Sequence, residues 1–321
     1  EDMLKPYTDP RIGNAPRHYL AREPERLMLV PEPVRKCVLF VLYNDKDGKK
    51  QVAGTAFMVG IKDKEFGLAF GYCVTALHVL AKIYRDSADK NIILRVNLKD
   101  GGFEERVIPY DEWQKHPKDV SVDVAVLDWF PSPVKYDIAL IVIESAVDQT
   151  VIEGEKIGAG DEVFITGLFV NHTGKNRNLP IVRTGNIAMM PEEKIHVGGF
   201  GDIDAYLIEA RSIGGLSGSP VFVQKAPVKV VDKELYVSQV DHIYFWLGLI
   251  HGHFQVEPKK EVVNDLAAEE AQINMGIAIV VPAIKVIETI NQPLFKERRD
   301  ERIQQERDRY APTPDTGDMS I

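Results

Sequence analysis

Three short stretches carry side chains whose types fit acyl-transfer chemistry. IGGLSGSPVF, residues 213–222, sets Ser217 among glycines and small residues in what reads as a tight turn, and an apolar run that reads as a strand follows it. Glycine opens main-chain conformations closed to other residues and lets a ligand come close to the backbone, so such a turn suits either packing or a reactive hydroxyl. It is not the strand-to-helix elbow G-x-S-x-G, because Ser219 takes the place of the last glycine and a strand, not a helix, comes next. GYCVTALHVLAKI places His78 just past an apolar run, at the first turn of a short amphipathic segment. VSVDVAVLDW sets Asp123 between valines in a run otherwise suited to burial, where an unpartnered carboxylate is costly. A histidine that takes a proton, a carboxylate that orients it and a loop serine are the parts that turn a weak hydroxyl into an acylating nucleophile.

The chain around them has 321 residues, 45% hydrophobic and 27% charged, enough for one large or two modest globular units with a real core. A net charge of -9 argues against a nucleic-acid partner, which needs a basic face. The longest apolar runs, Cys37 to Tyr43 and Met275 to Ile284, fall well short of the roughly 20 residues of a membrane helix, and no secretory segment opens the sequence. The two cysteines, Cys37 and Cys73, both lie in strand-like apolar runs, so the expectation is buried free thiols, a reducing compartment and a cytoplasmic protein.

Residues 1–34 hold six prolines and little periodicity and read as an arm. From there, short runs rich in Val, Ile, Phe and Tyr recur between Gly, Asp and Asn clusters: CVLFVLY, VAGTAFMVG, GLAFGYCVTA, NIILRVNL, VDVAVLDW and DIALIVIE, then DEVFITGLF, PIVRTGNIAMM, AYLIEARS, PVFVQ, IYFWLGLIHGH and MGIAIVV. Such spacing predicts an all-β fold of two six-stranded antiparallel barrels. Residues 35–150 make the first, with His78 and Asp123, and residues 151–292 make the second, with Ser217 and a C-terminal helix over PAIKVIETI. Residues 293–321 form a charged tail whose mixed-charge stretch reads as a solvated helix, with a partner-docking helix as the other reading.

The motifs resemble those of the trypsin-like, chymotrypsin-fold serine proteases. TALHV is similar to their T-A-x-H, DVAVL to D-[IV]-A-L-L and GLSGSP to G-x-S-G-[GS]-P, in the family order, and GTAFMVG, GDEVFITGLF and GIAIVVP resemble bacterial members over about residues 36–290. Those members are the glutamyl endopeptidases and the high-temperature-requirement proteases, here without a PDZ module. YDIALIVI offers Asp137 as a rival acid. The resemblance favours Asp123, which stands 45 residues after His78 and 94 before Ser217, against 59 and 80 for Asp137. It also likens His116-Pro117 to the approach to the family aspartate and leaves Asp137 as a solvent-facing strand residue.

The resemblance implies a serine endopeptidase acting on protein or peptide substrates. Ser217 would be nucleophile, His78 general base, Asp123 orienting acid, and the backbone N–H groups of Gly215 and Ser217 the oxyanion hole. It implies no cofactor and no metal. Leu216 stands where zymogen-type relatives carry an aspartate, so activation by N-terminal cleavage is not expected. A regulatory partner on the arm or the charged tail is compatible with that. The primary pocket would be lined by Arg211, Ser212 and Ile213 before the nucleophile and by Ile250, His251, Gly252 and His253 on a later strand. No acid appears among these seven, so a preference for Lys or Arg lacks its counter-charge. Glutamyl endopeptidases carry a pocket histidine in G-I-H-W-G, and in LGLIHGH it falls one residue later. Ser212 with His251 or His253, and Arg211, would bind an acidic residue. Alternatively Arg211 pairs outward with Glu209 and the pocket takes small apolar residues. His251 and His253 form an H-x-H pair without a recognisable third zinc ligand. Asn171-His172-Thr173 fits a glycosylation sequon by chance, in a loop, NHTGKNRN, that reads as surface bordering the cleft. The rival functions are an idle domain that uses its cleft to bind a partner, and an esterase with the same triad.

Overall fold

The structure, a computed structural model, describes residues 30–210, 215–225, 228–231, 234–237, 244–256 and 273–310. The expected arm over residues 1–34 therefore lies almost wholly outside the described residues, as do Arg211, Ser212 and Ile213 and residues 311–321. From Glu32 on, the chain belongs to one unit.

After a short helix, α1 (Glu32–Lys36), the apolar runs become β1 (Val38–Asn44), β2 (Lys50–Lys62) and β3 (Ala69–Thr75). A helix, α2 (Leu77–Asp86), precedes β4 (Asn91–Asn97), β5 (Phe103–Pro109), β6 (Gln114–Lys115), β7 (Ala125–Asp128) and β8 (Ile141–Val142). These strands make one eight-stranded sheet in the order β5-β4-β1-β2-β3-β7-β6, with β8 running parallel to β2. β1 is buried along nearly its whole length, which is why it reads as an unbroken apolar run rather than an alternating one.

The second half opens with α3 (Gln149–Glu155). It continues through β9 (Glu162–Gly167), β10 (Ile181–Met189), β11 (Ile195–Val197), β12 (Gly201–Ile203), β13 (Tyr206–Glu209), β14 (Pro220–Gln224), β15 (Val228–Val231), β16 (Glu234–Val237), β17 (Tyr244–Val256) and β18 (Ile273–Pro282). Six of these strands close into a barrel, β10-β13-β18-β17-β14-β9, while β11-β12 and β15-β16 form separate hairpins. The barrel is filled by Val163, Ile165, Ile208, Val221, Leu247 and Val280 among others.

The fold is thus mostly β, with one closed six-stranded barrel and one half-barrel sheet. Two closed barrels were expected, and the first does not close. DIALIVIE, expected as a full strand, contributes only the two residues of β8, and the preceding WFPSPVKYD carries Pro131 and Pro133, which have no N–H to give to a ladder. The halves meet where Phe57 of β2 packs edge-on to the buried Trp246 of β17, ring centroids 5.6 Å apart, and where the Val147 N–H donates to the Trp246 carbonyl at 2.9 Å.

Two helices end the described chain. α4 (Ala283–Ile290) buries Ala283, Val286 and Ile290, the three-and-four spacing seen in the sequence. α5 (Pro293–Tyr310) is not merely solvated. It buries Phe295 and Arg299 against Tyr72 of β3, with Arg299 Nη1 donating to the Tyr72 hydroxyl at 2.6 Å. Among the described residues no helix is long and apolar enough to cross a membrane.

Candidate active site

His78 reaches its place because β3 ends at Thr75 and α2 begins two residues later, so the second residue of the helix projects from the rim of the sheet. The helix N-cap, Ala76, has no side chain able to accept a bond from the free amides of the first turn. Asp123 does so from a distance: its Oδ1 accepts the His78 backbone N–H at 2.8 Å. A carboxylate is favoured at a helix N-terminus, whose amides carry partial positive charge. Asp123 sits in a tight turn before β7, where the Val124 N–H donates to the Val122 carbonyl at 2.9 Å. Valines on either side are buried and Asp123 itself is fully buried.

Asp123 Oδ2 faces two imidazoles. His78 Nδ1 lies 2.6 Å from it and His251 Nδ1 lies 2.5 Å from it. Facing an ionised carboxylate, each of these nitrogens is placed to donate, so that in a neutral His78 ring Nε2 is the nitrogen able to accept a proton. Burial pushes the Asp123 carboxyl upward, but the donors from His251 and His78 and the charge near them outweigh it and hold the group well below the usual carboxylate range.

Ser217 lies on the loop between Gly215 and β14, a loop held from the first half of the molecule. The Thr55 hydroxyl of β2 donates to the Gly215 carbonyl at 2.9 Å and accepts the Leu168 N–H at 2.9 Å, and the Thr55 N–H donates to the Ser217 carbonyl at 3.0 Å. Gly215 and Gly218 have φ of +97° and +82°, the left-handed region that glycine takes without strain, and a Cβ on Gly218 would meet the Thr55 carbonyl at 2.2 Å. The turn thus needs its glycines on both counts. Leu216 packs into the barrel core. Among the described residues, the N–H groups of Gly215 and Ser217 show no acceptor, as donors reserved for a ligand oxygen would.

The Ser217 hydroxyl donates at 3.4 Å to the His251 carbonyl. Among the described residues no hydrogen bond joins it to His78. The structure therefore brings His78 and Asp123 together and sets Ser217 against the strand that also carries His251, with its hydroxyl turned to that strand.

No family model matches the chain, and no curated protein does. Two solved structures are distantly similar. The crystal structure of Deg5 is 13% identical over 79% of this chain and 87% of that one, with a TM-score of 0.44. An inactive form of Rv3671c from M. tuberculosis, a serine-to-alanine mutant, is 17% identical over 82% of this chain and 92% of that one, with a TM-score of 0.40. At such scores neither decides the fold, which rests on the sheet order above.

The remaining candidates fall as follows. Asp137 is not a solvent-facing strand residue. It lies in a loop with its side chain 17% exposed, and it pairs with Lys36 and Arg177 at 2.8 Å each. The loop NHTGKNRN carries that Arg177, and its Asn178 is buried against Arg95 and Asn97 of β4, so its end is packed rather than open surface. His116 anchors the approach to Asp123: Nδ1 accepts the Asp119 N–H at 2.9 Å, and Nε2 lies 3.0 Å from Glu288 of α4. Of the pocket residues, Ile250 lies in the barrel core and the His251 side chain turns to Asp123. A Cβ on Gly252 would meet nothing within 4 Å, and His253 is part-buried, its imidazole pushed down by that burial.

The H-x-H pair does not act as a unit. His251 joins His78 and Asp123 instead, with ligand-type atoms all within 4.8 Å of one another. Oδ2 stands 2.5 and 2.6 Å from the two nitrogens, whereas two ligands on one Zn²⁺ at about 2.1 Å stand roughly 3.4 Å apart. The cluster fits shared protons, and an ion would have to open both contacts. Sequence reading missed His251 as a partner of Asp123. The available signal was that a buried carboxylate has more acceptor capacity than one histidine uses.

Proposed function

We propose that the chain is a serine endopeptidase. The observation that carries this reading is His78 held by the buried Asp123, together with Ser217 in a glycine-framed loop where, among the described residues, the Gly215 and Ser217 amides show no acceptor. Ser217 Oγ attacks the peptide carbonyl carbon as its proton passes to His78 Nε2, and the carbonyl oxygen gathers charge against the amides of Gly215 and Ser217. His78 then gives that proton to the leaving amine and the C–N bond breaks, leaving an acyl-Ser217. Water, deprotonated by His78, releases the acid and restores the serine. Asp123 keeps the imidazole in the working tautomer and balances its charge.

A fluorophosphonate probe tests this without a known substrate. Wild-type protein is labelled at Ser217, and Ser217→Ala and His78→Ala are not. Folded wild-type protein that takes no label, alone or with mixed peptides added, would sink the enzyme. The second reading, an idle cleft that binds a partner, draws on the Ser217 hydroxyl facing the His251 carbonyl rather than His78, and peptide binding without labelling is its signature.

As part of the same reading, we assign the residue before the cut to an acidic or small class. With His251 turned to Asp123, the recognition of an acid falls to Ser212 with His253, and to Arg211. Burial lowers the His253 pKa, so at a given pH it carries less charge than an ordinary imidazole and gains charge as pH falls. Cleavage after Glu relative to Ala therefore rises as pH falls below the ordinary imidazole range, read from a positional peptide library by mass spectrometry. Dominant cleavage after Lys, Arg or large aromatics refutes the assignment. Both cysteines are buried and free, which supports a reducing, cytoplasmic setting; subcellular fractionation checks it.

A further inference from the structure

One residue of β17 touches both ends of the site. The His251 imidazole meets Asp123 Oδ2 at 2.5 Å, and its carbonyl accepts the Ser217 hydroxyl at 3.4 Å. The ladder between β17 and β18 shifts register between Ile250 and Gly252, so His251 is the extra residue of a β-bulge, the local device that re-aims a side chain. Ile250, on its N-terminal side, keeps its side chain in the barrel core. Its backbone is tied to the serine loop twice: the Gly218 N–H donates to its carbonyl, and its own N–H donates to the Ser219 carbonyl, both at 2.8 Å. The ring of His251 is then fixed on its remaining sides, by Phe200 edge-on at 4.6 Å and by His78 at 5.3 Å between centroids.

We infer that His251 is a positioning residue of the proposed reaction, a fourth member that orients Asp123, and through it His78, while holding the resting Ser217 hydroxyl. This rests on the serine-hydrolase reading. With the His78 amide and one imidazole alone, the carboxylate could turn about its Cβ–Cγ bond. The third donor, arriving from the half of the molecule that carries Ser217, fixes that rotation. It also sets the position of the acid against the serine loop, so the two halves of the site are registered through one buried carboxylate. A dry carboxylate with three donors has its lone pairs directed before the reaction begins, which is the preorganisation that favours the imidazolium as it forms.

The test compares His251→Leu, which keeps volume and loses the donor, with His251→Asn, whose amide N–H reaches the place of Nδ1. Fluorophosphonate labelling gives kinact and KI separately. His251→Leu lowers kinact about 10- to 100-fold, the worth of one hydrogen bond to a charged group, and leaves KI within about twofold. His251→Asn recovers most of the rate. Thermal unfolding of both variants keeps a folding defect distinct. Independently of activity, wild-type protein shows two far-downfield imidazole N–H signals by proton NMR, and His251→Leu and His78→Ala each remove a different one. A single downfield signal in wild-type protein, a loss carried by KI, or equal rates in wild type and His251→Leu overturns the role. If both signals are present and Ser217 takes no label, the hydrolase reading fails and the positioning role falls with it. If Ser217 is labelled and His251→Leu labels as fast as wild type, only the role of His251 falls.

Discussion

Asp123 is fully buried, accepts three hydrogen bonds and stays ionised across the neutral range because donors, not solvent, satisfy it. Asp123→Asn keeps the shape but presents an N–H where an acceptor is needed, and the His78 tautomer is lost. Labelling of Ser217 is expected to fall by about four orders of magnitude, while Asp137→Asn, which only weakens a pairing with Lys36 and Arg177, leaves it within about twofold; a labelling time course on both variants decides between the two acids. Ser219 makes the opposite point. Its hydroxyl is buried without a partner, 2.0 Å from where a Cβ on Gly167 would stand. Ser219→Ala removes an unsatisfied oxygen, so Tm holds or rises by a few degrees in a thermal melt, where loss of a used hydroxyl would lower it. Burial also pushes both thiols, Cys37 and Cys73, well up from the usual range. Iodoacetamide therefore modifies neither at neutral pH until the protein is unfolded, as intact-mass measurement would show.

β2 does more for the site than its apolar sequence announces. Thr55, fully buried in its middle, bridges the Gly215 carbonyl and the Leu168 N–H, so a strand of the half-barrel holds the loop of the closed barrel. Thr55→Val is nearly isosteric and leaves both groups unpaired, at about 1–3 kcal/mol each. Its labelling rate is expected to drop through kinact more than KI, together with a lower denaturation midpoint. How much of this was legible follows from what each element hides. β9 and β14 of the closed barrel were readable because they bury runs of Val, Ile and Phe, whereas β10 buries only Ile187 and was read from its apolar ends. β5 was not, since FEERVIP is half exposed and its charges mask the pairing with β4. DIALIVIE read as a strand on composition alone, although only Ile141 and Val142 pair with β2 before a 3-10 turn over Ile143–Ser145 ends the run. The contact of His78 with Asp123 was legible because the local patterns around both residues are short and contiguous. His251 was not, because a bulge, invisible in a strand's sequence, decides where its side chain goes.

α4 and α5 bind the halves from outside. α5 leaves the end of the barrel and lays Phe295 and Arg299 on Tyr72 of the half-barrel sheet. On the same helix Arg298 pairs with Asp128 and, further along, Arg307 with Glu65. Arg299→Ala strips three bonds from a nearly buried group and leaves the Tyr72 hydroxyl unpaired, so Tm is expected to fall by roughly 5–10 °C. Arg307→Ala, at an exposed pair, leaves Tm almost unchanged in the same calorimetric scan. The placement of α5 also has a meaning in time. A ribosome makes the sheet with His78 and Asp123 first, the strand with Ser217 next and the bulge of β17 later still, and residues 293–310 come after all of them. Until then Tyr72 and Asp128 wait without their cover. A nascent chain thus sets His78 beside Asp123 in its sheet well before β17 can bring His251 to the same carboxylate, so the proposed site is registered only after both halves are made.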